Sequence, residues 1–273
     1  MLTASELQEI ALQIRAAQLE VRQIEPFTSH IPGFDLPSAY AVAQLIHQVR
    51  VSEGAVPVGR KIGFTNADMW PIYGVREPIW AYVYDQTVTG LAMTDGTCSL
   101  GQFAEPMIEP EIVFHFRSAP PVGADLPSLL ASIDWVAHAF EIVQSHYPGW
   151  KFQPADTVAD CSLHGKLLLG EPVPVDQLAS DPVAALESFS MALSRNGEVL
   201  EVGRGANVLG NPLIALVHLI SVLSKQSEFL PLQANEIVTT GSITLAQAVR
   251  PGESWQTKLQ GIALPELTVE FVP

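Results

Sequence analysis

Lys61 lies in the run Gly59-Arg60-Lys61-Ile62-Gly63-Phe64, so two glycines leave little side-chain bulk around its ammonium. Three glutamates sit in comparably apolar sequence: Glu109 and Glu111 in Ile108-Glu109-Pro110-Glu111-Ile112, and Glu141 between Phe140 and Ile142-Val143. Burying an ionised carboxylate among such neighbours is costly unless a cation or strong donors compensate it. Three clustered carboxylates suit an oxygen-preferring divalent ion, Mg2+ or Mn2+, with positions left open for water and a bidentate keto acid. An ammonium beside that ion holds a carboxylate or an enolate, or moves a proton. Each residue also has a plainer reading. Glu109 and Glu111 suit the solvent face of an amphipathic strand, and Lys61 suits a glycine-bounded surface turn.

The elements that must position these groups are readable in part. Met107 to Phe116 alternates as a strand, which places Glu109 and Glu111 on one face with Met107, Val113 and His115. Pro110 belongs at an edge, a strand start or a bulge. Before it, Leu7, Ile10, Ile14, Ala17, Val21 and Ile24 mark a helix opened by a Thr3/Glu6 capping box and ended by Pro26. A second helix is expected from about Pro37 to Ser52, after Asp35. Residues 1–55 therefore read as a helical amino-terminal segment and 56–273 as a strand-rich body.

Within the body, Ala81 to Tyr84, Glu236 to Thr240, Ser254 to Gln260 and Leu267 to Val272 read as strands, and Leu126 to about Ile133 as a short helix. Ser188 to Arg195 and Glu198 to Val202 flank Asn196-Gly197, the pair favoured in a type I′ hairpin turn. Asn211-Pro212 starts a helix that ends near Lys225. Helices among mainly antiparallel strands make this an α+β chain.

Composition narrows the function. A net charge of −15 with only 14 lysines and arginines in 273 residues argues against nucleic acid and anionic membrane as partners. Two cysteines, Cys98 and Cys161, give no disulfide framework and fit a reducing compartment, so a cytoplasmic location is expected. No uninterrupted apolar run reads as a membrane span, and the amino terminus does not read as an export signal.

Gly-Arg-Lys-Ile-Gly-Phe-Thr (59–65), Tyr-Gly-Val (73–75), Ile-Glu-Pro-Glu-Ile (108–112), Phe-Glu-Ile-Val-Gln-Ser (140–145) and Asp-Thr-Val-Ala-Asp (156–160) occur in order. Gly-Arg-Gly (203–205), Asn211-Pro212 and Glu-Ile-Val-Thr-Thr-Gly (236–241) continue the series. Together they resemble the 2-keto-4-pentenoate hydratase and 4-oxalocrotonate decarboxylase family of the fumarylacetoacetate hydrolase superfamily. The resemblance implies a helical amino-terminal segment followed by a rolled, mixed β-sheet body, assembled into homo-oligomers and in some relatives complexed with a sister pathway enzyme. It implies a Mg2+- or Mn2+-dependent enzyme of keto-enol acids from aromatic ring cleavage. Glu109, Glu111 and Glu141 fall on the metal-ligand positions, Lys61 on the active-site lysine, and Ile79, His164, Lys166 and Thr240 on positions taken as substrate contacts.

This chain departs from the pattern at two places. Hydratases of the family usually carry an acidic residue where Ile79 stands, and an apolar residue there is closer to the decarboxylases. The loop that usually reads Ala-Asp-Asn followed by small residues is here Ala159-Asp160-Cys161-Ser162-Leu163-His164-Gly165-Lys166. His164 and Lys166 could pair with a second substrate carboxylate or point to solvent, and His138 reads as a hydrogen-bonded core histidine. Hydration of a 2-hydroxypenta-2,4-dienoate-type acid is the expected reaction. The alternatives are decarboxylation of a 4-oxalocrotonate-type acid, acylpyruvate hydrolysis, and a non-catalytic metal- or ligand-binding role.

Overall fold

The structure, a computed structural model, describes residues 2–67 and 70–273. Helix α1 (Ala4–Glu20) opens on Thr3, whose hydroxyl accepts from the Glu6 amide while the Glu6 carboxylate accepts from the Thr3 amide. It ends earlier than expected, at a left-handed Val21 with φ 51°. Ile24 lies beyond it because its amide donates instead to the His146 carbonyl, at 2.7 Å. One turn, α2 (Phe27–His30), leads to α3 (Leu36–Ser52), capped by Asp35 with a proline in its first turn.

The chain then forms β1 (Pro57–Gly63), α4 (Trp70–Tyr73), β2 (Ile79–Tyr84), β3 (Val88–Gly90), β4 (Thr97–Ser99) and β5 (Met107–Phe116). After α5 (Leu126–Ala131) come β6 (Ile133–Val143), α6 (Pro154–Ala159), β7 (His164–Leu169), β8 (Val173–Pro174) and α7 (Pro182–Ser188). The hairpin β9 (Ser190–Arg195) and β10 (Glu198–Arg204) precedes α8 (Pro212–Lys225), and β11 (Ile237–Ser242), β12 (Gln247–Ala248), β13 (Ser254–Gln260) and β14 (Thr268–Val272) complete the chain. Asn196 and Gly197 have φ 52° and 83°, the positive pair that a type I′ turn requires. Ser188, expected in the first strand of that hairpin, ends α7 instead, a helix capped by Asp181 with Pro182 behind it.

The larger sheet has the order β2-β1-β11-β5-β6-β7-β3, with β12 added to β5 and β8 to β6; the second runs β10-β9-β13-β14-β4. Three pairings are parallel, β1 with β11, β3 with β7 and β14 with β4, so both sheets are mixed. One face of the larger sheet is covered by helices at Ile112, Phe114 and Phe116 and by the second sheet at Ile108, Phe140 and Ile142. The other curls around Val113, Ala139 and Leu167 and carries the candidate site. The stretch Gly205–Lys225 is long and apolar enough, by length and composition, to cross a bilayer. Here α8 buries Leu213, Leu216, Leu219 and Leu223 as a core helix instead.

Candidate active site

Antiparallel pairing of β5 with β6 sets Glu109 directly opposite Glu141, and alternation along β5 puts Glu111 on the same face. Lys61 stands in β1 opposite Thr239 of β11, in mid-strand rather than in a turn, and is 3% exposed. One oxygen from each of the three glutamates lies within 4.8 Å of the others. The Lys61 ammonium is 3.0 Å from Glu141 Oε2. Glu141 Oε1 accepts from His164 Nδ1 at 2.6 Å, and His164 Nε2 is 2.8 Å from the Thr87 hydroxyl. Glu111 Oε2 accepts a short hydrogen bond from the Thr239 hydroxyl and another from the Gly241 amide at 2.8 Å. Its Oε1 is buried and has no hydrogen-bond partner among the described residues.

Electrostatics explain why this set needs a further positive charge. Burial pushes Glu109 up to about 7, against the pull of Lys61. It pushes Glu111 well above the usual carboxylate range, helped by the two neighbouring carboxylates. Burial acts the same way on Glu141, but Lys61 and His164 outweigh it and hold that group at about 2. Burial also opposes the charge on Lys61, yet the carboxylates overcome it and raise its pKa. One ammonium thus faces three carboxylates, and a buried Glu111 oxygen has no hydrogen-bond partner among the described residues. The hard-oxygen donors fit a small divalent cation.

Lys61 and Glu109 open onto a cavity of about 750 Å3. Glu109 keeps solvent access through it, although protein surrounds the carboxylate. Ile79, Met107, Val143, Trp150, Phe152 and Leu209 make much of the wall apolar. His218 of α8 also reaches the wall, its ring set edge-on to Trp70. Among the described residues, Lys61 is the only lysine or arginine on the lining.

Of the four substrate contacts expected from the sequence, the structure brings Ile79 to the cavity and not the other three. His164 is buried behind Glu141 with both ring nitrogens engaged. Lys166 pairs with Ile142 on β6 and, by alternation, takes the sheet face opposite Leu167, which pairs with Glu141. The Thr240 hydroxyl donates to the Ile112 carbonyl at 3.0 Å, while its neighbour Thr239 holds Glu111. A shift of one residue along β11 reverses the side-chain face, which separates these two threonines. His138 is the core histidine expected: its Nδ1 donates to the Glu111 carbonyl and its Nε2 lies 3.0 Å from the Thr257 hydroxyl. Thr87, Trp150, Phe152 and His218 carried no signal in the sequence, since they reach the site from three stretches of chain apart from those that hold the lysine and the glutamates.

No protein-family model matches this chain. It is 32% identical over 268 residues to a 2-keto-4-pentenoate hydratase of Paraburkholderia xenovorans (strain LB400), covering 96% of this chain and 94% of that protein. The structure of 4-oxalocrotonate decarboxylase from Pseudomonas putida G7, complexed with magnesium and adipate, matches with a TM-score of 0.89 at 28% identity, covering 100% of this chain and 99% of the other. A fumarylacetoacetate hydrolase family protein from Yersinia pestis CO92 shares the fold, with a TM-score of 0.56 at 16% identity over 79% of this chain and 94% of its own.

Proposed function

The chain belongs to the 2-keto-4-pentenoate hydratase and 4-oxalocrotonate decarboxylase family, and from that premise we propose that this lyase hydrates 2-hydroxypenta-2,4-dienoate or a similar monocarboxylic dienol acid. Glu109, Glu111 and Glu141 hold Mg2+ or Mn2+, a reading supported by the orphaned Glu111 oxygen and by the magnesium in the P. putida decarboxylase. When bound, the cation polarises the 2-oxo group and stabilises the negative charge that develops on its oxygen. Lys61, kept protonated by its carboxylate neighbours, anchors the acid and carries the proton exchanged between enol and keto forms. Water then adds across the double bond conjugated to the 2-oxo group, its oxygen to C4 and a proton to C3.

The carrying observation is the make-up of the cavity. A divalent ion and Lys61 balance the three glutamates, so no lysine or arginine on the described wall remains for a second substrate carboxylate, and the apolar residues suit a hydrocarbon tail. Decarboxylation is the second reading, favoured by Ile79: an apolar side chain there gives water no acid or base but does desolvate a departing carboxylate. Purified protein with Mg2+ or Mn2+ is offered 2-hydroxypenta-2,4-dienoate and, separately, 2-oxohex-3-enedioate, while enol absorbance and evolved carbon dioxide are followed. Hydration consumes the dienoate without carbon dioxide. Carbon dioxide from the diacid with the dienoate untouched would assign decarboxylation.

The same reading takes 56–273 as the catalytic body behind a helical segment of 1–55, in a cytoplasmic homo-oligomer that works beside a sister enzyme. Light scattering after size exclusion tests the assembly.

A further inference from the structure

We infer that His164 and Thr87 form a positioning relay that sets the strength of metal binding through Glu141. The inference rests on the metal half of the proposed function and is indifferent to which reaction follows. Glu141 accepts from His164 at 2.6 Å on Oε1, while its Oε2 forms an ion pair with Lys61 at 3.0 Å and makes no hydrogen bond among the described residues. Glu111 is likewise fixed through Oε2, by the Thr239 hydroxyl and the Gly241 amide. Glu109 stands on the cavity wall, open to solvent on one side. Glu141 is therefore the glutamate whose orientation depends on another side chain that itself needs support.

That support is Thr87. A carboxylate can only accept, so His164 Nδ1 carries the proton it gives to Glu141 Oε1. On the far side of the ring, Nε2 lies 2.8 Å from the Thr87 hydroxyl, which anchors it. Thr87 closes the 3-10 turn Asp85–Thr87 between β2 and β3, with its hydroxyl also 3.0 Å from the Tyr84 carbonyl, so its position is set by the backbone. The ring is pinned at both nitrogens and buried, which fixes its orientation and the plane of the carboxylate it holds. An outer partner of this kind orients a ligand carboxylate and sets its donor strength. The loop that delivers His164 is tightly determined, since Cys161, Ser162 and Leu163 have φ 51°, 51° and 61° in succession.

The test is Mn2+ affinity, read by electron paramagnetic resonance on full-length wild type, His164→Ala, His164→Asn and Thr87→Val, each checked for folding by circular dichroism and thermal melting. Loss of the imidazole is expected to weaken Mn2+ binding by about 10- to 100-fold. Asparagine places an N–H close to that of Nδ1 and is expected to recover most of the affinity, a rescue that a space-filling role would not produce. Thr87→Val keeps the ring and loses only its anchor; it is expected to fall between the two, and carries the test if His164→Ala fails to fold. At saturating Mn2+ the kcat of these variants is expected to return towards wild type, because His164 touches Glu141 and not the substrate cavity. Wild-type affinity in both folded His164→Ala and Thr87→Val overturns the relay while leaving the metal reading intact. Failure of wild type itself to bind Mn2+ overturns the metal reading and the relay together.

Discussion

Lys61 and Glu111 show how much of the chemistry rests on single groups. Lys61 is held charged by its neighbours against the cost of burial, so removing it should cost catalysis without emptying the metal site. Lys61→Ala is expected to lower kcat/KM by about 10²- to 10⁴-fold, the usual contribution of a positioned proton carrier, while Mn2+ affinity holds or rises as a competing positive charge disappears. Steady-state kinetics beside a Mn2+ titration check both halves, and undiminished turnover would remove the role given to Lys61. For Glu111, one oxygen is saturated by Thr239 and Gly241 and the other is orphaned. Wild type should gain about 2.7 kcal/mol of stability at Mg2+ one hundred-fold above its Kd, and Glu111→Gln should lose that gain, read as the Mg2+-dependent part of the thermal shift.

β1 does two jobs because its residues alternate. Lys61 faces the carboxylates, while Arg60 turns the other way, pairs with Glu236 at 2.9 Å and lies 3.9 Å from the centre of the Tyr82 ring. Adjacent basic residues in the sequence therefore have unrelated roles. Gly59 is what lets β1 close on β11: a Cβ there would lie 1.9 Å from the Ile237 carbonyl oxygen. Gly59→Ala should prise the parallel pair apart, costing about 1–3 kcal/mol in denaturant unfolding. It should also depress activity by moving Lys61, two residues along, away from Glu141. A variant with wild-type stability and kcat would mean the strand accommodates the methyl without shifting the site.

The two sheets are joined behind the site by His138, which links the Glu111 carbonyl on β5 to Thr257 on β13. Burial lowers its pKa from the ordinary 6.5 to about 4, so the unfolded chain takes up a proton that the native state refuses. The resulting stability is whole above pH 6.5 and is lost as pH falls towards 4, a total of about 3 kcal/mol. Denaturant unfolding across that range should show a shallower pH slope for His138→Gln than for wild type; equal slopes would mean that His138 charges freely in the folded protein. The sequence by itself determined the capping box at Thr3, the Asn196-Gly197 turn, the helix after Asn211 and the one-faced placement of Glu109 and Glu111. Each follows from interactions within a few residues or from strand alternation. Only the tertiary structure decided that Glu141 faces Glu109, that Thr239 and not Thr240 holds Glu111, and that His164 backs a carboxylate instead of lining the cavity. Those outcomes depend on register between strands far apart in the chain, where a slip of one residue reverses every side chain, and no local pattern encodes that register.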